Sequence, residues 1–341
     1  MENMTLTLKE QWDALKEGNP RLRLRDAALQ LGVTEADLVN LNVGHGNTLL
    51  RPVFQEILCE VEQLGYVMAL TRNDHCVHER KGVYRNVTFN GNIGLAVNPD
   101  IDLRLFMGGW KFGFAVNEGG RLSLQFFGKD GEAVHKIYVT DQTDVAAYHA
   151  LVAKYKAKEQ EQTLEIVPST GPKEEKPYDE IDIPAFQQAW LNLEDTHAFH
   201  GMLLKHKVSR RQAMHLAPSG HAQPLRLDRL KQIMQAVSER DVEIMVFTGS
   251  AGCIQIHTGK AKKLVQTGPW FNVLDPEFNL HLREDGIASL WIVKKPTVDG
   301  PVHSMEVFDK DGGMVVQFFG KRKPGVPESE EWRTVLQEFG G

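Results

Sequence analysis

Two histidines three residues apart, His197 and His200, lie in the stretch W-L-N-L-E-D-T-H-A-F-H-G-M-L-L-K-H (190–206). Asp195 or Thr196 is placed to cap a new helix, because a short side-chain oxygen satisfies first-turn N–H groups. His197 then falls in the first turn, where the positive end of the helix dipole disfavours imidazolium. Neutral imidazole is the form that binds iron or zinc. His200 follows along the same face, with Phe199, Met202, Leu203 and Leu204 supplying apolar surface. Gly201 interrupts a good helical run at about 1 kcal/mol against Ala, which suits the approach of something flat or bulky. The same pattern also fits a core helix with partly buried histidines.

A second histidine cluster, N-D-H-C-V-H-E (73–79), invites a metal reading. On a strand, however, His75 and Val77 face one way and Cys76 and His78 the other. The order does not match H-E-x-x-H, so His78 is kept only as an accessory ligand. No Gly-rich phosphate loop and no G-x-S-x-G elbow occurs. K-K-P-T (294–297) and F-F-G-K-R-K (318–323) are basic spots, either solvated surface or partners for carboxylates.

The elements that must position these groups repeat. A charge run followed by Pro168, Gly171, Pro172 and Pro177 reads as a linker over 161–182, dividing a first repeat (1–160) from a second (183–341). Trp12 answers Trp190, Cys76 answers Cys253 and Asp130 answers Asp311, at offsets of 178, 177 and 181 residues. Each repeat opens with helical spacing (9–16, 20–31, 34–41 and 52–64 in the first). From Tyr66 the period shortens towards two, in V-M-A-L-T, K-F-G-F-A-V, L-S-L-Q-F-F and V-H-K-I-Y-V. K-D-G (129–131) and K-D-G-G (310–313) read as hairpin turns. The expected fold is α+β, a tandem repeat of two similar domains, each an antiparallel sheet with packed helices. In the repeat alignment Leu22 falls opposite His197, and His281 opposite Arg104. An unpaired His in one copy and an unpaired Arg in the other suit one asymmetric site.

The chain has 341 residues, enough for two domains with cores, and 39 basic against 45 acidic side chains give a net charge of −6. That balance argues against a general nucleic-acid or membrane-surface binder. No apolar run reaches spanning length, so no membrane insertion is expected. The N-terminal residues lack the basic start and apolar stretch of a signal peptide. Cys59, Cys76 and Cys253 occur singly, and the expected compartment is the cytoplasm. Residues 25–41 resemble a helix-turn-helix, yet Thr34–Leu41 carries two acids and no Lys or Arg. Helices packed on a sheet are favoured there over a DNA reader, even though Arg210 and Arg211 lie in the matching second-repeat helix.

E-D-T-H-A-F-H-G-M-L-L-K-H, D-L-R-L-F, E-I-M-V-F-T-G-S-A-G-C-I-Q-I-H-T-G, W-I-V-K-K-P-T and Q-F-F-G-K-R together closely resemble the bacterial HemS/ChuS-type haemin-degrading and haem-trafficking proteins. The resemblance covers nearly the whole chain. It implies haem between the two halves, His197 as proximal iron ligand and Arg104 as the distal arginine. It further implies Phe106 and Phe247 as apolar walls, and Arg210, Lys295, Gln317 and Arg322 around the propionates and the rim. His78 matches a candidate first-domain haem ligand. His200 stands where relatives are often aromatic and becomes an alternative ligand; Phe319 stands where Tyr is common, removing a hydroxyl. The expected function is haem degradation to release iron after uptake, with haem as ligand and substrate and an external electron donor. The alternative is a carrier that delivers intact haem to a separate haem oxygenase. An inner-membrane haem transporter is the expected upstream partner.

Overall fold

The period change at Tyr66 is where helices give way to strands, because alternating side chains can cover one sheet face with apolar groups. The computed structural model describes residues 6–20, 22–169, 171, 174–323 and 325–340. Pro172, one of the linker prolines, lies outside the described residues. The chain forms two units. The first runs through Thr71 and continues over Lys81–Ser169, with Ser250–Cys253 added from the second half of the sequence. The second takes Arg72–Arg80 from the first half, then the chain through Gly249 and from Ile254 onward.

The first unit orders its strands Thr48–Leu49, Trp110–Glu118, Arg121–Gly128, Ala133–Thr143 and Gly65–Arg72, each antiparallel to the next. Val87–Asn90, Ile93–Val97 and Asp102–Phe106 form a further antiparallel set. Helices Phe54–Glu60 and Val145–Tyr155 pack Ile57, Leu58, Tyr148 and Leu151 against sheet residues including Phe126 and Ile137. The expected 20–31 helix begins only at Leu24, after a turn in which the Leu22 N–H donates to the Asn19 carbonyl. The suspected reading helix, Glu35–Asn40, is capped by Thr34 and Asp37 and packs Ala36 and Val39 against Phe112, Phe114 and Phe127 of the sheet. Its Glu35 is buried and pairs with Lys136 at 3.2 Å.

The second unit repeats this order with Ala222–Leu225, Ser289–Lys295, Val302–Phe308, Met314–Gly320 and Ile244–Gly249. Its outer set is Leu264–Thr267, Trp270–Leu274 and Phe278–Arg283, and the last strand pairs with Cys76–Arg80. Helices Ile183–Leu191, Ala198–His206 and Arg210–Leu216 pack Trp190, Phe199 and Met214 against Trp291, Val293 and Phe308 of the sheet. Trp190 meets Phe199 edge-on at 4.7 Å. The linker is tied down at both ends: the Val167 N–H donates to the Lys129 carbonyl, and Glu175 accepts from Ser209 and Arg211. Gly131, at φ +75, turns the K-D-G hairpin where an added Cβ would meet Thr34 at 2.2–2.8 Å.

The exchanged segments use matching chemistry. Asn73 Oδ1 accepts from the N–H groups of His75 and Cys76, and its Nδ2 donates to the Val315 carbonyl at 2.8 Å. Ser250 Oγ accepts from Gly252 and Cys253 and donates to the Val134 carbonyl, also at 2.8 Å. Each hairpin corner is thus pinned by its own short polar side chain, which satisfies backbone groups that would otherwise be buried unpaired.

Candidate functional site

The histidine helix begins at Ala198, with His197 as its N-cap in place of the expected Asp195 or Thr196. The Asp195 carboxylate is the reason. Its Oδ1 accepts the His197 backbone N–H at 2.8 Å and lies 2.7 Å from His197 Nδ1. The backbone N–H first, then the imidazole, holds the Asp195 carboxyl below the usual carboxylate range. The His197 side chain is 84 % exposed, so the core-helix alternative does not hold for it. His200 is also exposed, as are Gly201 and Leu204. A Cβ built on Gly201 meets nothing within 4 Å, which leaves this face flat and open.

Beneath the helix lies a buried charge cluster. Glu306 accepts from Arg210 Nε and Nη2 at 2.9 Å each and from Lys295 Nζ at 2.6 Å. Burial alone would push the Glu306 carboxyl up, but the two cations hold it well below its ordinary value. Burial lowers the Lys295 ammonium. The resemblance implied Arg210 and Lys295 around the propionates and the rim; in the structure both are engaged with Glu306, and the Lys295 side chain is 2 % exposed. Charges removed from water need partners at hydrogen-bonding distance, and the strand alternation S-M-E (304–306) that turns Glu306 inward was the overlooked signal. Lys295 Nζ lies 4.7 Å from the Phe199 ring centre and 5.7 Å from that of Phe319. This sets the histidine helix beside a half-buried wall, where Phe247 and Phe319 meet at 5.1 Å. Gln317 pairs in register with Phe247, and its Nε2 is buried without a hydrogen-bond partner. Arg322 approaches Asp299 at 3.8 Å and acts electrostatically on Asp195.

In the first unit Arg104 stands on the outer face of the strand Asp102–Phe106. Register places Leu95 beside Arg104, Ile93 beside Phe106 and Val97 beside Asp102. Ile93, Leu95, Val97 and Phe106 are all exposed, while Ala96, Leu103 and Leu105 on the inner face join the core. The strand pair thus leaves an apolar strip open to water around one guanidinium. Arg104 Nη1 donates to Asp102 Oδ1. Burial raises the Asp102 carboxyl, against the pull of Arg104. Asp102 escaped the sequence reading, although D-L-R puts both groups on one strand face.

His78 is fully buried, 5.1 Å from the Phe278 ring centre, with His257 stacked on the other ring at 3.7 Å. Burial, then the neighbouring His257, lowers the His78 pKa well below the usual imidazole value. The expected accessory ligand therefore offers no accessible ring nitrogen, because strand pairing turns it inward. Arg211 pairs with Glu175 at 2.6 Å, so both cations of the second-repeat helix are engaged with carboxylates.

The sequence matches the family model of the haemin-degrading HemS.ChuX domain twice, over residues 32–155 and 207–339. It is 37 % identical over 338 residues to the hemin transport protein HmuS of Yersinia pestis, covering 98 % of this chain and 97 % of the relative. Its structure superposes on holo-PhuS, a heme-binding protein from Pseudomonas aeruginosa, with TM-score 0.94 and 47 % identity over 97 % of each chain. It superposes on ChuS, an E. coli heme oxygenase, with TM-score 0.88 and 35 % identity over 97 % of this chain and 98 % of the other. Among the described residues no helix is long and apolar enough to cross a membrane. With a doubled domain match and full-length similarity, the chain belongs to the HemS/ChuX family of haemin-degrading proteins.

Proposed function

We propose that this protein binds haem and opens its macrocycle to release iron, haem being both ligand and substrate. The observation that carries the reading is the exposed strip Ile93, Leu95, Val97 and Phe106 around Arg104. Covering apolar surface is favourable, and haem is a flat apolar plate with iron at its centre and two carboxylates at its edge. The donor set fits: an exposed imidazole with Nδ1 already engaged, an unpartnered Gln317 amide donor and the Arg322 guanidinium.

Bound haem supplies the redox chemistry; the protein supplies orientation and electrostatics. His197, with Nδ1 engaged by Asp195, would hold the iron through Nε2. Arg104, steadied by Asp102, would supply a cationic hydrogen-bond donor towards the haem. Phe106, Phe247 and Phe319 would offer apolar surface to the macrocycle, and Gln317 and Arg322 would be donors for its propionates. Arg210 and Lys295 act from below, holding Phe199 and the histidine helix in place through Glu306. Electrons come from an external donor. Its place is the cytoplasm, downstream of an inner-membrane haem transporter.

One observation favours a second reading, a carrier that hands intact haem to a separate oxygenase: His200 is exposed one turn from His197 and offers an exchangeable second ligand. The test reduces the ferric complex under air, with and without catalase, and follows the Soret band and the products. Band loss with iron release and a defined open-chain tetrapyrrole, catalase present, supports degradation. A persistent band with rapid transfer of intact haem to an apo haem oxygenase makes the protein a carrier. Band loss only without catalase reduces the chemistry to peroxide damage and rejects the enzyme.

A further inference from the structure

We propose that Asp195 is a positioning residue for His197, fixing the ring so that Nδ1 carries the proton and Nε2 is the ligating nitrogen. The inference rests on the haem reading above for its consequence, but its geometry stands alone. One oxygen, Asp195 Oδ1, reaches both the His197 backbone N–H at 2.8 Å and His197 Nδ1 at 2.7 Å. The first contact anchors the carboxylate to the backbone, and the second anchors the ring to the carboxylate. A carboxylate only accepts, so the ring proton sits on Nδ1 and the lone pair on Nε2. A side chain that only closes the turn needs the first contact alone. The turn is itself braced, because the Val298 N–H donates to the Glu194 carbonyl at 3.0 Å. A carboxylate behind a ligating imidazole fixes its orientation and raises its basicity, which strengthens the bond to ferric iron. His200 has no such partner among the hydrogen bonds of the described residues, so Asp195 selects which of the two exposed histidines is the stronger ligand.

The first measurement needs no haem. Nitrogen-15 NMR of the histidine rings in the native apoprotein at neutral pH is expected to show His197 protonated at Nδ1; an Nε2–H ring overturns the proposal. The second uses Asp195→Asn, which keeps a backbone acceptor and removes the charge. With haem bound, the iron–histidine stretch should shift down, the reduction potential should shift up, and ferric haem affinity should fall roughly 10- to 100-fold. His200→Ala is run alongside so that a ligand swap is recognised. An unchanged stretch and potential in a natively folded Asp195→Asn overturns the proposal, and if that variant does not fold, the apoprotein tautomer decides. Should His197→Ala leave the haem spectrum unchanged, the haem reading fails, while the apoprotein tautomer still tests the Asp195–His197 pair independently.

Discussion

Cys253 Sγ lies 3.4 Å from Thr71 Oγ1, although 182 residues separate them in sequence. The matching pair, Cys76 Sγ and Thr248 Oγ1, is also 3.4 Å apart. Burial raises both thiols to about 12, so they serve as packing groups and not as nucleophiles. Each unit therefore contains a segment from the other half of the sequence. A fragment beginning at residue 171 lacks Cys76–Arg80 and leaves the edge of the strand Phe278–Arg283 unpaired. It should unfold at lower urea than the full chain and associate with rising concentration, as equilibrium denaturation and sedimentation would show. A monomeric fragment with the full chain's midpoint would contradict this.

Removing the carboxylate at the centre of the charge cluster leaves two cations with no partner there. Glu306→Ala should cost about 3–5 kcal/mol, read as a drop in the urea midpoint. Lys295→Met should cost less, because Arg210 still meets Glu306 through two hydrogen bonds. Equal losses in the two variants would show that the cluster does not act as described.

His197→Ala should weaken haem binding at least about tenfold and move the Soret band. His200, exposed one turn away, should rescue part of the loss, so the double substitution should be worse than either alone. Titration of haem into the three variants checks this, and native spectra and affinity in the double variant would remove both residues from the site.

Arg104 is expected to act on reactivity more than on affinity. Arg104→Ala should shift the pH-dependent spectral transition of the ferric complex upward, because a cationic donor that favours the anionic ligand form is gone. Asp102→Asn, which loosens the guanidinium without removing it, should move the transition less. A large fall in affinity with an unmoved transition would assign Arg104 to the propionates instead.

Burial holds His135 neutral down to about 3 and His257 down to about 4. In the unfolded chain both titrate near about 6.5. Below that value the unfolded state binds more protons, so stability is full above about pH 7 and falls as pH drops towards the folded-state values. Each histidine contributes up to about 1.4 kcal/mol per pH unit across that window. Urea midpoints should fall over this range, and His257→Phe, which preserves a ring against Phe278, should flatten the decline. A midpoint that ignores pH would rule out both buried rings as its cause, and a decline unchanged in His257→Phe would rule out His257.

Much of this protein was legible in its sequence because the relevant patterns are local. Period two in L-S-L-Q-F-F predicts strand Arg121–Gly128, and repeat offsets predict two α+β copies, since hydrophobic spacing is written residue by residue. His197 and Arg104 stood out for a related reason, as each lacks its counterpart in the other copy. What only the tertiary structure decided is which groups are already engaged. Arg210 and Lys295 are both engaged by Glu306, which lies 96 and 11 residues away from them in sequence and beside them in space. His78, kept from the sequence only as an accessory ligand, is turned into the core by pairing with the strand Phe278–Arg283. The exchange of Arg72–Arg80 and Ser250–Cys253 between units is invisible to periodicity. A strand's pattern shows which side of it must be buried, but not which strand supplies the covering edge, and that choice rests on long-range packing.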